Sequence, residues 1–322
     1  MKKLLWKVVL GVAAGVAVYV GFSVWADARH VGRALAEFRW SIALAALGLA
    51  FLNYLVRFVR WHYYLKVLGL KVPLGHSFLV FLAGFSLTVT PGKLGEVVKA
   101  LLLRQSHGIA AARTAPIVIA ERFTDLAGLL LLACVGIFTF KIDLRFLAAG
   151  AGLIGMGLVV VSVAPIARFF LRLSARLPLV GRLTPKLAEA HQTTAALLRP
   201  RPLVLGVLLS TLSWFFECAA FSAVVHGFPG AAVPMQAATF IYASMTVAGA
   251  LSFLPGGLGL TEAGMLAMLG QLAVGCPRPV AAAATFITRL CTLWFAVVIG
   301  IVALLAFARR THIQVQLPEK SA

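Results

Sequence analysis

The chain has 322 residues, of which 61% are hydrophobic and only 12% charged, and its mean hydropathy is +0.97. This composition excludes a soluble globular protein, and no stretch is both polar and long enough to form a soluble catalytic domain. A formal charge of +19 would suit nucleic acid, but the basic residues flank apolar segments, so topology and attraction to anionic lipid head groups explain it and no nucleic-acid partner is expected.

Apolar stretches of about 20 residues, the length that crosses roughly 30 Å of hydrocarbon as a helix, recur along the whole chain. Lys2, Lys3 and Lys7 precede the first, as in a signal peptide, but no small-x-small cleavage site ends it before Asp27 and Arg29. A retained first helix over about 4–26, starting in the cytoplasm, is therefore predicted. A short exterior segment (Asp27, Arg29, Arg33, Glu37, Arg39) leads to a second helix over about 41–68. Arg57, Arg60 and Trp61 lie on one face of it. Two readings stay open there: snorkelling into head groups, or a guanidinium pair aimed at a lipid phosphate. Lys66 and Lys71 place the loop at 69–73 inside.

The next segment, 74–104, is broken. An apolar run from Ser77 to Val89 meets Pro91-Gly92, then Lys93, Gly95, Glu96 and Lys99, before apolar sequence resumes at Ala100. Proline lacks an amide hydrogen and clashes with the preceding turn, so a helix must stop near Thr90. At membrane depth the freed backbone groups must face protein or a wet cavity, and charges there are functional candidates. Arg104, His107 and Arg113 follow, then a helix over about 114–140 with Glu121, Arg122 and Asp125 near its start. Lys141, Asp143 and Arg145 form a turn before a helix over about 146–167. Arg168 to Arg201 holds seven Lys or Arg and one acid, Glu189, and reads as a cytoplasmic linker. The spacing of Arg168, Arg172 and Arg176 predicts an amphipathic helix on the inner surface. A helix over about 203–226, an uncharged loop Gly227–Pro234, a second broken segment (235–273) and a loop at 275–279 come next. The last helix, about 280–307, ends at Arg309-Arg310, inside.

The loops on either side of the first broken segment are basic, and those on either side of the second hold one arginine between them. Two hairpins entering from opposite faces satisfy this tally; so do limbs that each cross fully, and the proline-glycine breaks favour the hairpins. The expected fold is thus an all-α, polytopic membrane protein. It has about six full spans and two oppositely oriented re-entrant hairpins related as inverted repeats. Residues 1–322 form one membrane domain, with halves at about 41–140 and 203–308 joined by the basic linker 168–201.

The repeat is visible in the letters. Leu87-Thr88-x-x-Pro91-Gly92-x-Leu94-Gly95 matches Leu251-Ser252-x-x-Pro255-Gly256-x-Leu258-Gly259, and an acid follows each, Glu96 and Glu262. The next helix carries Glu121-Arg122 in one half and Thr288-Arg289 in the other. Interrupted apolar segments at corresponding places in two halves point to a transporter's binding site near the midplane. The half-helix N-termini there suit an anion. Lys93 stands at one such end and the uncharged Gly257 at the other.

Arg57, Arg60, Lys93, Arg122 and Arg289 make the intramembrane polar set basic, which favours an anionic head group. Arg122 and Asp125 are i, i+3 neighbours, and Glu121 and Asp125 share a face, so they form either a static brace between helices or the wall of a hydrophilic cavity. Glu96 and Glu262 are candidates for proton coupling. No nucleophile with a base, no phosphate-binding loop and no metal-ligand spacing is present, so no cofactor, no metal and no enzymatic activity are expected. The scattered Cys134, Cys218, Cys276 and Cys291 read as packing residues.

Taken together, Arg57-x-x-Arg60-Trp61, PGKLGEVVKALLLR from Pro91, Glu121-Arg122-x-x-Asp125 and LPGGLGLTE through Pro255, Gly256, Gly257, Gly259 and Glu262 resemble the lysylphosphatidylglycerol-synthase transmembrane, or flippase-like, family. The similarity extends over about 5–310 and includes the N-terminal flippase region of the multiple peptide resistance factor. It implies a multi-pass fold with inverted repeats, in a bacterial cytoplasmic membrane, that moves lipids between leaflets; the basic intramembrane residues then point to an anionic phospholipid or polyprenyl-phosphate-type lipid, and the basic chain ends to cytoplasmic termini. The synthase domain of that factor has no counterpart in these residues, so lipid aminoacylation is not expected of them. The alternative is a membrane subunit or scaffold for a separately encoded lipid-modifying enzyme.

Overall fold

A computed structural model describes residues 28–90, 96–140, 152, 155–156 and 184–311. The first helix at 4–26, the break residues Pro91, Gly92, Lys93 and Gly95, the turn at 141–145, most of the helix at 146–167 and the run Arg168, Arg172, Arg176 lie outside the described residues.

The described chain is helical, without a strand. Its helices are α1 (Ala28–Glu37), α2 (Trp40–Val67), α3 (Leu74–Ala83), α4 (Val98–His107), α5 (Ala111–Phe140), α6 (Thr184–Leu197), α7 (Pro200–His226), α8 (Met235–Leu251), α9 (Leu260–Leu272), α10 (Arg278–Arg289) and α11 (Phe295–Thr311). A wider π turn, Leu290–Trp294, joins α10 to α11 in one continuous rod. Among the described residues three helices are long and apolar enough to cross a membrane: Trp40–Val67, Pro200–His226 and Arg278–Arg310.

Local chemistry sets the ends. α2 stops where Gly69 takes a left-handed conformation (φ 67°) and the Leu70 amide closes back onto the Leu65 carbonyl at 2.9 Å. α7 starts at Pro200, three residues before the expected 203, because proline's fixed φ suits the first helical turn. The basic linker is thus shorter than its charge pattern suggests, and its described part, Thr184–Leu197, is helical.

α2 and α7 form the central pair and run antiparallel. The Arg39 amide donates to the Gly227 carbonyl at 3.1 Å, Asn53 Nδ2 to the Ser213 carbonyl at 2.8 Å, and Tyr64 lies beside Gly206. Around them the halves exchange elements. α3 packs on α11 and α8 packs on α5, so each half's short helix lies against the last helix of the other. Gly300 makes the first contact close: a Cβ there would stand 2.1 Å from the Ser86 amide nitrogen. Of the cysteines, Cys218, Cys276 and Cys291 are buried and none is disulfide-bonded. Burial pushes the Cys276 thiol, in the loop before α10, up to about 11, so it is protonated at neutral pH.

Candidate functional site

Each broken segment folds back on itself. In the first, His76 at the start of α3 meets His107 at the end of α4, their ring centroids 4.6 Å apart. Between them Gly84 lies against the stem of Lys99, where a Cβ would come within 2.7 Å of its Cγ. In the second, Ala232 and Val274 exchange both backbone hydrogen bonds at 2.9 and 2.8 Å just outside α8 and α9. Thr261 Oγ1 reaches the Met245 carbonyl at 3.3 Å further in. The two tips then meet: Val89 of the first packs with Leu258, Leu293 and Val297 and touches Gly256 of the second.

The second tip is a sharp turn, Pro255–Gly257, in which Gly256 and Gly257 have left-handed φ (62° and 68°), and Gly259 just beyond it also has positive φ (89°). Only glycine adopts these angles without steric cost. Gly259 precedes α9, and its amide donates to Glu262 Oε2 at 2.7 Å, closing the N-terminus of that helix.

Charged side chains collect behind the tips. Arg60, fully buried, donates to Asp125 Oδ1 at 2.7 Å and to Thr124 Oγ1 at 3.0 Å. Arg57, 5% exposed, lies 3.6 Å from Asp125 and 4.0 Å from Glu96, its guanidinium near the rings of Phe85 and Trp214. Snorkelling is therefore overturned for both arginines: each is enclosed by protein and paired. Arg122 reaches Glu96 at 3.1 Å and Asp125 at 3.2 Å. Lys99 contacts Glu121 at 2.6 Å and Glu96 at 3.5 Å, between the rings of Trp61 and Phe81. Ser210 of α7 donates to Asp125 at 2.7 Å, tying the network to the other half.

The second half repeats part of this. Arg289 Nε donates to Glu262 at 2.6 Å and its terminal nitrogen to the Gly256 carbonyl at 2.6 Å. In both halves, then, the acid after the break pairs with an arginine on the half's last long helix. The sequence separations are 26 for Glu96–Arg122 and 27 for Glu262–Arg289. Each arginine is the twelfth residue of its helix, counted from Ala111 and from Arg278. The repeat seen in the letters is thus also a repeat of contacts. It breaks elsewhere: Arg57 and Glu217 are both the eighteenth residue of their helices, α2 and α7, and carry opposite charge.

A cavity of about 260 Å³ opens between the tips. Arg57, Arg122, Asp125, Glu217 and Arg289 give it a polar floor, and Leu251, Phe253 and Leu254 an apolar rim. Arg122 is the most open cation of the first-half network, 26% exposed against 6% or less for Arg57, Arg60 and Lys99. The Nε atoms of Arg57 and Arg122 donate to no acceptor among the described residues. Of the sequence candidates, Arg57, Arg122, Asp125, Gly256, Gly257 and Arg289 line the cavity. Arg60, Glu96, Lys99, Glu121 and Glu262 stand behind it as ion-pair partners, and Pro255 and Gly259 shape the turn. Sequence reading passed over Tyr54, Trp214 and Tyr242, which also line it, the last donating to Glu217 at 2.5 Å. Ser210, Ser213, Trp214 and Glu217 fall on one face of an apolar helix, and that stripe was the available signal.

A sequence model of the family described as the lysylphosphatidylglycerol synthase TM region matches residues 12–300. Two relatives, each a UPF0104 membrane protein of Methanothermobacter thermautotrophicus, are similar along most of their length. One is 26% identical over 306 residues, covering 89% of this chain and 90% of the relative. The other is 24% identical over 288 residues, covering 81% and 84%.

Proposed function

Because the chain belongs to the lysylphosphatidylglycerol synthase transmembrane-region family, we propose that it moves an anionic lipid between the leaflets of the cytoplasmic membrane. The cargo is a phospholipid or polyprenyl-phosphate-type lipid, and the protein acts as a carrier with no catalytic step. The observation that carries this reading is the cavity between the two tips, with arginines on its floor from both halves and an apolar rim. A phosphate leaving water needs fixed donors to replace its hydration, and a guanidinium fork supplies them. The hydrocarbon needs an apolar way past. Carboxylates behind the floor hold the arginines in place and keep them from collapsing onto the anion's route.

The broken segments act in this reading as re-entrant hairpins of an inverted repeat. Their helices support it by length: Leu74–Leu87 rises about 21 Å and α9 about 20 Å at 1.5 Å per residue, short of the roughly 30 Å of hydrocarbon. So does the antiparallel α2–α7 pair, since equivalent first helices of inverted halves run in opposite directions. The basic loops then face the cytoplasm, with both termini.

Purified protein in liposomes, with fluorescent phosphatidylglycerol, phosphatidylcholine and a short polyprenyl phosphate confined to one leaflet, tests the proposal. The expected result is protein-dependent loss of asymmetry for an anionic lipid, with its mass unchanged. Absence of movement for every lipid by folded protein would refute it and favour a scaffold for a separate enzyme. A change in lipid mass would refute it in favour of an enzyme.

A further inference from the structure

The rim of the cavity contains a residue that the ion-pair network does not explain. Phe253 has φ 55°, and it is the one non-glycine with positive φ among the described residues. For an L-residue the left-handed region is sterically strained, and a bulky side chain is rarely found there. The same turn uses glycine for its other left-handed positions, so a glycine at 253 would relieve the strain. The ring does not offset it by packing inside the protein, since Phe253 is 70% exposed. Strain kept at a cavity wall points to a role for the side chain that is strained.

The surroundings indicate which role. Phe253 lines the cavity with Leu251 and Leu254, which are 39% and 42% exposed, and opposite them the floor carries Arg122 and Asp125. The cavity is therefore amphipathic from floor to rim. Its counterpart in the first repeat is Val89, only 9% exposed and packed against the other tip. The two tips thus differ at this position: one side chain closes the contact between hairpins and the other stands clear at the mouth.

We infer that Phe253 is a specificity-determining residue that holds the first methylenes of the cargo's acyl chains at the cavity mouth while the head group sits among the arginines. The inference rests on the proposed function and deepens it: the site takes a head group together with the start of its hydrocarbon, and Phe253 reads the second part. Removing the ring then weakens binding of long-chain lipid and leaves head-group binding in place.

The test is native mass spectrometry of the detergent-solubilised full chain with dioleoyl phosphatidylglycerol and with glycerophosphoglycerol, which has the same head group and no acyl chain, for wild type, Phe253→Gly and Phe253→Leu, with melting temperatures recorded alongside. Wild type is expected to bind the dioleoyl lipid more tightly. Phe253→Gly is expected to lose affinity for it about tenfold, to keep the glycerophosphoglycerol affinity within twofold, and to melt no lower than wild type because strain is relieved. Phe253→Leu, which keeps a large apolar group, is expected to retain most of the discrimination. Unchanged discrimination in Phe253→Gly, equal loss for both ligands, or no discrimination by wild type would overturn the inference alone. Failure of wild type to bind either ligand would overturn the translocation reading beneath it.

Discussion

Replacing Asp125 by asparagine removes one charge from the centre of the network and almost no volume. Asp125 is approached by Arg60 at 2.7 Å, Arg122 at 3.2 Å and Arg57 at 3.6 Å. The described first-half network has four cations (Arg57, Arg60, Lys99, Arg122) against three carboxylates (Glu96, Glu121, Asp125), a net of +1 that becomes +2 in the variant. Removing one partner of a buried ion pair costs about 3–5 kcal/mol, because the remaining charge stays out of water. At about 2–4 °C per kcal/mol for a chain of a few hundred residues, Asp125→Asn should lower the melting temperature on the order of 10 °C. Adding Arg60→Met restores the net charge to +1, so the double variant should melt above the Asp125→Asn single. Differential scanning fluorimetry of the four proteins in one detergent measures the cycle. If Asp125→Asn melts within about 2 °C of wild type, or if the two losses simply add, the network is not a coupled unit and the reasoning fails.

Gly300→Ala should destabilise by about 1–3 kcal/mol, since its Cβ would meet the Ser86 backbone at 2.1 Å. Gly206→Ala should also destabilise, because its Cβ would meet the hydroxyl of the fully buried Tyr64 at 2.1 Å, and thermal melts measure both. Lys99→Gln should strand Glu121, now 2.6 Å from the ammonium, and lower the melting temperature, and adding Glu121→Gln should recover part of that loss in the same assay. In a cysteine-free background, Lys71→Cys and Val274→Cys, both at exposed positions, should react with an impermeant thiol reagent from opposite faces of intact vesicles. Labelling of both from one face would contradict the proposed inverted arrangement of the hairpins.

Much of this architecture could be read before any coordinates. The long helices at 40–67 and 200–226 follow from apolar length, and the break after Leu251 follows from the Pro255-Gly256 pair. The arginine on the last helix of each half was legible as a repeated polar position, though not its pairing with Glu96 or Glu262. That pairing depends on two segments packing side by side, and sequence separation carries no sign of it. The enclosure of Arg57 and Arg60 was invisible for a related reason. An arginine toward the end of a long apolar helix has the same local sequence whether it snorkels or is sealed by Asp125 and Ser210 from other helices. Tyr54, Trp214 and Tyr242 were passed over because aromatic residues on apolar helices are ordinary core, and only the cavity between the tips distinguishes them. The strain at Phe253 leaves no mark in the letters, which place a phenylalanine in a turn where glycine would be the relaxed choice.

The central claim, that one cavity passes an anionic head group using arginines from both halves, is tested most directly by leaflet exchange of phosphatidylglycerol in liposomes containing wild type, Arg122→Gln or Arg289→Gln. The account predicts that wild type exchanges the lipid and that each variant, folded by thermal melt, slows exchange at least tenfold. Exchange at the wild-type rate by either variant would contradict it.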